Sequence, residues 1–320
     1  MRIETALLRD SVRGVLLRAA PAADERDADL AARWLVQAEL LRLPEFGVRM
    51  LARDLELRSV PAAAVPVAPE GPVGSLDASG VPGPLALAIA VNAARELLRT
   101  HGLAIIGVRR VGALGVLGTA ARTIAEAGGV AFLAAQSRPI VAPWGATRPA
   151  VGTNPIAVAL PRADAPPLTL DYATAPLTLA GVRQATERGE LLAPGLAADA
   201  NGEPTLLPAE VTALLPQSLL GSLTGLLVEA LAGVATGGRD GRAGDGSRGA
   251  IVIAFDPART GSGDAGAAAS ALARDWSAAG GHVPARFDAL PRAGEVFPAT
   301  IDVGEGELSW LRAREEGARP

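Results

Sequence analysis

Helical and strand-like segments alternate along this chain, and alternation of that kind predicts an α/β fold. Helical periodicity is clear at 27–42, around 84–99 (PLALAIAVNAARELLR), at 116–127 and at 265–279. Short β-rich runs fall among them: LAIIGV (103–108), VAFLAA (130–135), PIAVAL (155–160), LTL (168–170) and AIVIAF (250–255). Gly/Pro clusters at 61–84, 143–155 and 194–204 punctuate the pattern. With 320 residues and no internal repeat, the chain is long enough for more than one packed unit.

Composition narrows the chemistry. Hydrophobic residues make up 49%, charged residues 20%, and the formal net charge is −4, so the basic footprint of a nucleic-acid binder is missing. There is no cysteine, which excludes disulfides, zinc–thiolate sites and cysteine nucleophiles. Lysine is absent too, so no Schiff base and no lysine general acid can operate. Only two histidines occur, His101 and His282, and no metal site is expected from them.

Taken in order, each segment has a bland reading beside any sharper one. The N-terminus, MRIETALLRDSVRGVLLRAAPAAD, is arginine-rich like a transit peptide. Glu4 and Asp10 interrupt it and its apolar runs are short, so it reads as an ordinary first helix. The amphipathic DADLAARWLVQAELL (27–41) leads into RLPEFGV (42–48). His101, in Thr-His-Gly, reads as a helix end beside a Gly102 cap. The glycine-rich GALGVLG (112–118) says only that backbones approach closely.

LLGSLTGLLVEALAGVATGG (219–238) is long enough to span a bilayer. It nonetheless contains five glycines and a glutamate, with no aromatic or arginine anchors, and reads as a buried, small-residue-rich core helix. GGRDGRAGDGSRG (237–249) reads as a mobile surface loop. Gly261-Ser262-Gly263-Asp264-Ala265-Gly266 fits G-x-G-x-x-G, but five residues separate it from the preceding strand and no full βαβ unit follows. A flexible helix-entry loop is the better reading. The expected location is the cytoplasm, with no membrane and no nucleic-acid partner.

The order of motifs from residue 103 onward is more specific than any one of them. IIGVRRVGALGVLG is followed by AAQSRPIVAPWG, GTNPIAVALP, LTLDYATA, GELLAPGLAADANGEPT, VEALAGVATG, IAFDP and LPRAGE. This succession resembles the second-type malate/L-lactate dehydrogenase family, which includes ureidoglycolate and sulfolactate dehydrogenases and Δ1-piperideine-2-carboxylate reductases. The resemblance implies a homodimer that binds NAD or NADP on a family-specific α/β fold distinct from the common Rossmann fold, with helical N- and C-terminal parts. The expected organisation is a mainly helical substrate and dimer domain over 1–112 plus 285–320, a cofactor-type α/β domain over 113–195 plus 246–284, and a helical segment with the mobile loop over 196–245.

Position by position, the resemblance places Ser137 near the nicotinamide and Leu170-Asp171-Tyr172-Ala173 against the dinucleotide. It places Gly294-Glu295 in a late segment that closes over the cofactor, and Thr153 and Asn154 in a loop lining the substrate pocket with Phe46 and Arg49. Asp171 as a helix cap and Asn154-Pro155 as a plain turn are the bland alternatives. The chemical groups are missing. Phe46 stands where the family has a histidine, Met50 where it has an arginine, and Ala113 where it has a second histidine. Leu220 falls in place of a lysine, and Pro84 in place of a glutamine.

Hydride addition to a ketone makes an alkoxide, which needs a proton or a strong donor. Phenylalanine, alanine and leucine supply neither. The expectation is a divergent NAD(P)-dependent oxidoreductase acting on a small molecule such as an imine. Two alternatives stay open: a non-redox enzyme of a specialised biosynthetic pathway with an apolar pocket around Phe46, and a non-catalytic homologue that binds a ligand or partner.

Overall fold

A computed structural model of the chain describes residues 1–57, 67–239 and 248–316. The chain folds into two compact units. One comprises Met1–Leu133, Ala157–Leu170 and Val252–Pro320, the other Ala134–Ile156 and Asp171–Ile251. This division differs from the three segments expected from the sequence, because the chain changes unit within strands rather than in the linkers between elements.

In the first unit, β1 (Arg2–Glu4), α1 (Thr5–Ala19) and α2 (Glu25–Leu40) are followed by a single 3-10 turn, Pro44–Phe46, and α3 (Val48–Glu56). Then come β2 (Ala68–Glu70), β3 (Val73–Asp77), α4 (Gly83–His101), β4 (Leu103–Val111), α5 (Leu117–Glu126) and β5 (Val130–Ala135). β6 (Ile156–Leu160) and β7 (Leu168–Tyr172) complete this stretch. The second unit holds α6 (Leu179–Arg188), β8 (Ala197–Ala198), β9 (Ala213–Leu214) and α7 (Leu219–Val228), which runs on into a π turn, Glu229–Val234. β10 (Arg248–Phe255) returns the chain to the first unit, followed by α8 (Ala265–Ala278), β11 (Thr300–Asp302) and α9 (Glu305–Glu316).

Seven strands form the main sheet, in the order β2-β3-β4-β10-β5-β6-β7. β2 pairs with β3 antiparallel and β3 with β4 parallel, so the sheet is mixed, unlike an all-parallel Rossmann sheet. The α/β class and the departure from the Rossmann pattern are both as expected. α4 packs on β4, α2 on α4, and α1 on α2. Alanine makes these approaches close: α2 buries Ala28, Ala31, Ala32 and Ala38, and α4 buries Ala86, Ala88, Ala90 and Ala94. Asp24 starts α2 by accepting a 2.8 Å bond from the Arg26 N–H, and Gly102 ends α4 in the left-handed conformation. His101 is the last helical residue, as its flanking glycine implied.

α1 buries Leu8, Val12, Val15 and Leu16, and β1 pairs antiparallel with β11. The N-terminal segment is thus a packed element of the fold. At G-x-G-x-x-G, Gly261 ends a short 3-10 turn and Asp264 caps α8 through a 2.8 Å bond from the Ala267 N–H. That is a helix entry.

One expectation fails. Residues 219–238 are not a buried core helix. Leu219, Leu220, Leu223, Leu226, Leu227 and Val234 are all exposed, and the buried positions are Gly225, Val228, Glu229, Ala232, Gly233 and Gly238. Small residues form the inner stripe, so the leucines face outward. No described helix is long and apolar enough to cross a membrane. Most of the glycine-rich run at 237–249 lies outside the described residues.

The late segment around Gly294 is tied down from α5 and α2. Arg122, 2% exposed, pairs with Glu126 at 3.0 Å and donates to the carbonyls of Leu290 (2.9 Å) and Pro291 (3.3 Å). Burial lowers its pKa, with Glu126 opposing the fall. Arg33 donates to Pro291 and Arg292 carbonyls at 3.0 and 2.6 Å and lies over the Phe297 ring. Replacing Arg122 by Ala strands Glu126 and two carbonyls, and is expected to cost about 3–5 kcal/mol in denaturant unfolding. A change within error would show that water satisfies them.

Candidate functional site

Phe46 closes the 3-10 turn between α2 and α3. Gly47 follows it, and a Cβ there would lie 2.2 Å from Glu39 Oε1. Only glycine allows that approach, which lets Glu39, buried on α2, accept a 2.8 Å bond from the Val48 N–H. Burial pushes the Glu39 carboxyl up to about 6; the Val48 bond and Arg49 oppose the rise, and Glu307 adds to it. Glu45, beside Phe46, is buried as well. Burial raises it, but the hydrogen bonds and charges of Arg53 and then Arg49 together hold it below the ordinary carboxylate range. Arg53 pairs with Glu45 at 2.7 Å, and Arg49 bridges Glu45 at 3.2 Å to Glu307 at 2.5 Å. Arg49, expected in the substrate pocket, is engaged by two buried carboxylates.

Met50 and Asp54, four residues apart on α3, share one face of that helix, while Phe46 lies before Gly47 and outside it. The loop 112–115 lies along that face. A Cβ on Gly115 would be 3.3 Å from the Phe46 carbonyl and 3.5 Å from Met50 Cε. The N–H groups of Ala113 and Gly83 lie 3.4 and 3.5 Å from the two Asp54 carboxylate oxygens. The fold therefore brings the Phe46 carbonyl and the Met50 side chain to Gly115, and Asp54 to the Ala113 N–H. Phe46 is half-buried. Leu220 belongs to the other unit, where it is 74% exposed, so the enclosed apolar pocket expected around Phe46, Ala113 and Leu220 is formed within neither unit.

In the second unit, three loop segments meet at the ends of β5, β6 and β7. Ser137 and Thr153 hydroxyls are 3.1 Å apart, and Thr174 donates through both N–H and hydroxyl to the Thr153 carbonyl at 2.9 and 3.0 Å. Behind them, Asn154 is fully buried with φ +36. Its Oδ1 accepts from the Ser137 N–H and its own N–H donates to Ser137 Oγ, both at 3.0 Å. Its amide nitrogen donates to the Gly225 carbonyl and to Glu229 Oε2, both at 2.9 Å. Glu229 Oε1 also accepts from Gln136 Nε2 at 2.8 Å and Arg239 at 2.5 Å, and Gln136 in turn accepts from the Gly249 N–H at 3.0 Å. Asn154 thus holds Ser137 in place from beneath. It is not a surface that meets ligand.

The other expected residues are scattered more loosely. Leu170 and Tyr172 are exposed, and Asp171 and Ala173 half-buried. Asp171 does not cap α6; Thr178 does, accepting a 3.1 Å bond from the Gly181 N–H. Gly294 and Glu295 are exposed in the first unit, where Glu295 accepts a 2.7 Å bond from the Arg292 N–H. A groove of about 1130 Å³ in that unit, lined by Asp27, Arg33, Asn92, Arg95 and Glu96 among others, includes none of the expected residues. No group of three or more His, Cys, Asp or Glu suited to a metal occurs among the described residues.

Sequence reasoning missed Glu39, Asp54, Gln136 and Glu229. The last left a signal: a lone glutamate in an otherwise apolar run is either exposed or buried with partners, and here it is 2% exposed.

Residues 3–285 match the family model described as malate/L-lactate dehydrogenase. The chain belongs to this family. Among curated relatives, a Δ1-pyrroline-2-carboxylate/Δ1-piperideine-2-carboxylate reductase of Pseudomonas putida is 38% identical over 157 residues, which is 47% of this chain and 46% of the reductase. The match therefore spans about half of that protein. A (2R)-3-sulfolactate dehydrogenase (NADP(+)) of Chromohalobacter salexigens is 33% identical over 251 residues, 72% of this chain and 74% of the relative. Among solved structures, the Δ1-piperideine-2-carboxylate reductase of Pseudomonas syringae pv. tomato superposes with a TM-score of 0.84 at 26% identity, covering 98% of this chain and 99% of that one.

For a malate/L-lactate dehydrogenase-family chain, the residues at the strand ends of the second unit suit a nicotinamide dinucleotide. Tyr172 exposes a ring of the kind that stacks on a planar base, and Ser137 and Thr153 add hydroxyls.

Glu39 makes a pH prediction. Its folded pKa, about 6, lies above the ordinary 4.5, so the folded state holds the extra proton between those values. Stability therefore falls as pH rises through that window, by about 2 kcal/mol in all. Glu39→Gln keeps an acceptor for the Val48 N–H and removes the charge. It should melt higher than the parent near pH 7.5, with the difference closing below about pH 4.5. A pH-independent difference would assign the effect to packing.

Proposed function

We propose that this protein is an NAD(P)-dependent reductase of a carbon–nitrogen double bond rather than an oxidase of malate or lactate. The observation that carries the reading is that Phe46, Met50 and Ala113 offer no side-chain proton donor at the three positions where the family resemblance places two histidines and an arginine. A bound reduced nicotinamide would supply a hydride. A ketone that takes it up becomes an alkoxide and needs a proton from the protein. A protonated imine becomes a neutral amine and needs none. The relative from Pseudomonas putida supports the reading, since its name specifies pyrroline and piperideine, both ring imines.

On this reading Ser137, Tyr172 and Ala173 of the second unit contact the dinucleotide, and Thr153 of the same unit contributes its hydroxyl to the substrate. NADH and NADPH fluorescence titrations test cofactor binding, and absorbance at ~340 nm follows turnover. Δ1-Piperideine-type imines should be reduced, whereas malate and lactate oxidation should fall short by the hundred- to ten-thousand-fold, roughly, that acid–base help is worth. Phe46→His alone should not restore it, because the arginine and second histidine positions stay apolar. Brisk malate oxidation would sink the reading; absence of dinucleotide binding would favour a non-redox role.

We also propose that a second copy of the chain covers the outer face of α7. Leu219, Leu220, Leu223, Leu226 and Leu227 are each more than half exposed, more apolar surface than a monomer commonly leaves in water. Light scattering should give a dimer at micromolar concentration, and Leu223→Glu with Leu227→Glu should give a monomer. A monomeric parent protein would refute it.

A further inference from the structure

We propose that the groove of the first unit binds an amino acid with an apolar side chain, its ammonium on Asp27 and its carboxylate on Arg95. The inference is independent of the reductase reading, because the groove includes none of the residues assigned there to dinucleotide or substrate, and its walls all belong to one unit. At about 1130 Å³ it is as large as the pockets that hold small molecules. α2, α4, the turn after α5 and the residues that follow β10 form its walls.

Most charges along these walls are already balanced. Asp29 pairs with Arg9 at 3.5 Å, Glu96 with Arg99 at 2.6 Å and Asp256 with Arg259 at 3.8 Å. Asp24 caps α2 by accepting the Arg26 N–H, and the opposite charges of these two residues offset one another. Arg33 is committed to the Pro291 and Arg292 carbonyls. Asp27 and Arg95 differ. Among the described residues neither forms an ion pair, and both are bonded to one side chain, Asn92. Asn92 Nδ2 donates to Asp27 Oδ1 at 2.7 Å, and Asn92 Oδ1 accepts from Arg95 at 3.2 Å. A carboxylate only accepts and a guanidinium only donates, so the amide sits one way round. An acid and a guanidinium thus stand one amide apart, each without a counter-charge.

A free amino acid carries the matching pair, an ammonium and a carboxylate a few bonds apart. Burial raises the pKa of Asp27; the Asn92 bond opposes the rise and the charge of Asp24 adds to it. A half-buried carboxylate of this kind gains from a cation brought beside it. Arg95 is exposed and keeps N–H groups for a planar carboxylate. Leu30 and Leu98, half-buried in the same walls, give an apolar side chain its contact. An amine or an acid alone meets one partner and leaves the other charge unanswered, which is a source of specificity.

The test titrates the full chain by calorimetry at neutral pH with leucine, isocaproate (leucine without its ammonium) and isoamylamine (leucine without its carboxylate). Leucine should bind at least about tenfold more tightly than either fragment. Asp27→Asn should abolish the preference over isocaproate and keep that over isoamylamine. Arg95→Gln should do the reverse. Absence of leucine binding, leucine no tighter than either fragment, or variants that weaken all three ligands alike would overturn the assignment. Should Asp27→Asn fail to give a cooperative melt, Arg95→Gln, a change at an exposed side chain, decides it. The titrations contain no dinucleotide, so failure of the reductase reading leaves their outcome unchanged.

Discussion

The carboxylate of Glu229 is the group on which the second unit depends. It is buried, and its two oxygens hold Asn154, Gln136 and Arg239 at 2.5–2.9 Å. A buried charge with that many charge-assisted partners is tolerated, and removing any one partner is expensive. Asn154 passes the constraint on to Ser137, and Thr153 passes it to Thr174. Three loops that arrive from three strands are thereby held at one place. Glu229 opens the π turn after α7, a local widening of the helix that often marks a functional position.

The first unit has its own polar scaffold of a different kind. Buried Glu45 and Glu307 pair with Arg49, and Glu45 also with Arg53, while buried Glu39 accepts from the Val48 N–H. The Glu39 carboxyl is pushed up to about 6 mainly by burial. The cluster fixes the Pro44–Phe46 turn, and through it the position of Phe46. Arg49 thus belongs to the scaffold.

The family, the α/β class and most elements were legible in the sequence, because periodicity and the order of motifs such as PWG, GTNPIA and LDYAT are local properties of the chain. The strand VAFLAA was expected at 130–135 and lies there; the helix expected at 265–279 runs over Ala265–Ala278. The leucine-rich run at 219–238 was not legible. Composition shows that a segment is apolar but not which side of it packs, and here Gly225, Val228 and Ala232 face inward while the leucines do not. The roles of Asn154 and Asp54 were likewise decided only in three dimensions. Asn154 meets Glu229 across 75 residues and Asp54 meets Ala113 across 59, and no local pattern encodes contacts between such distant positions.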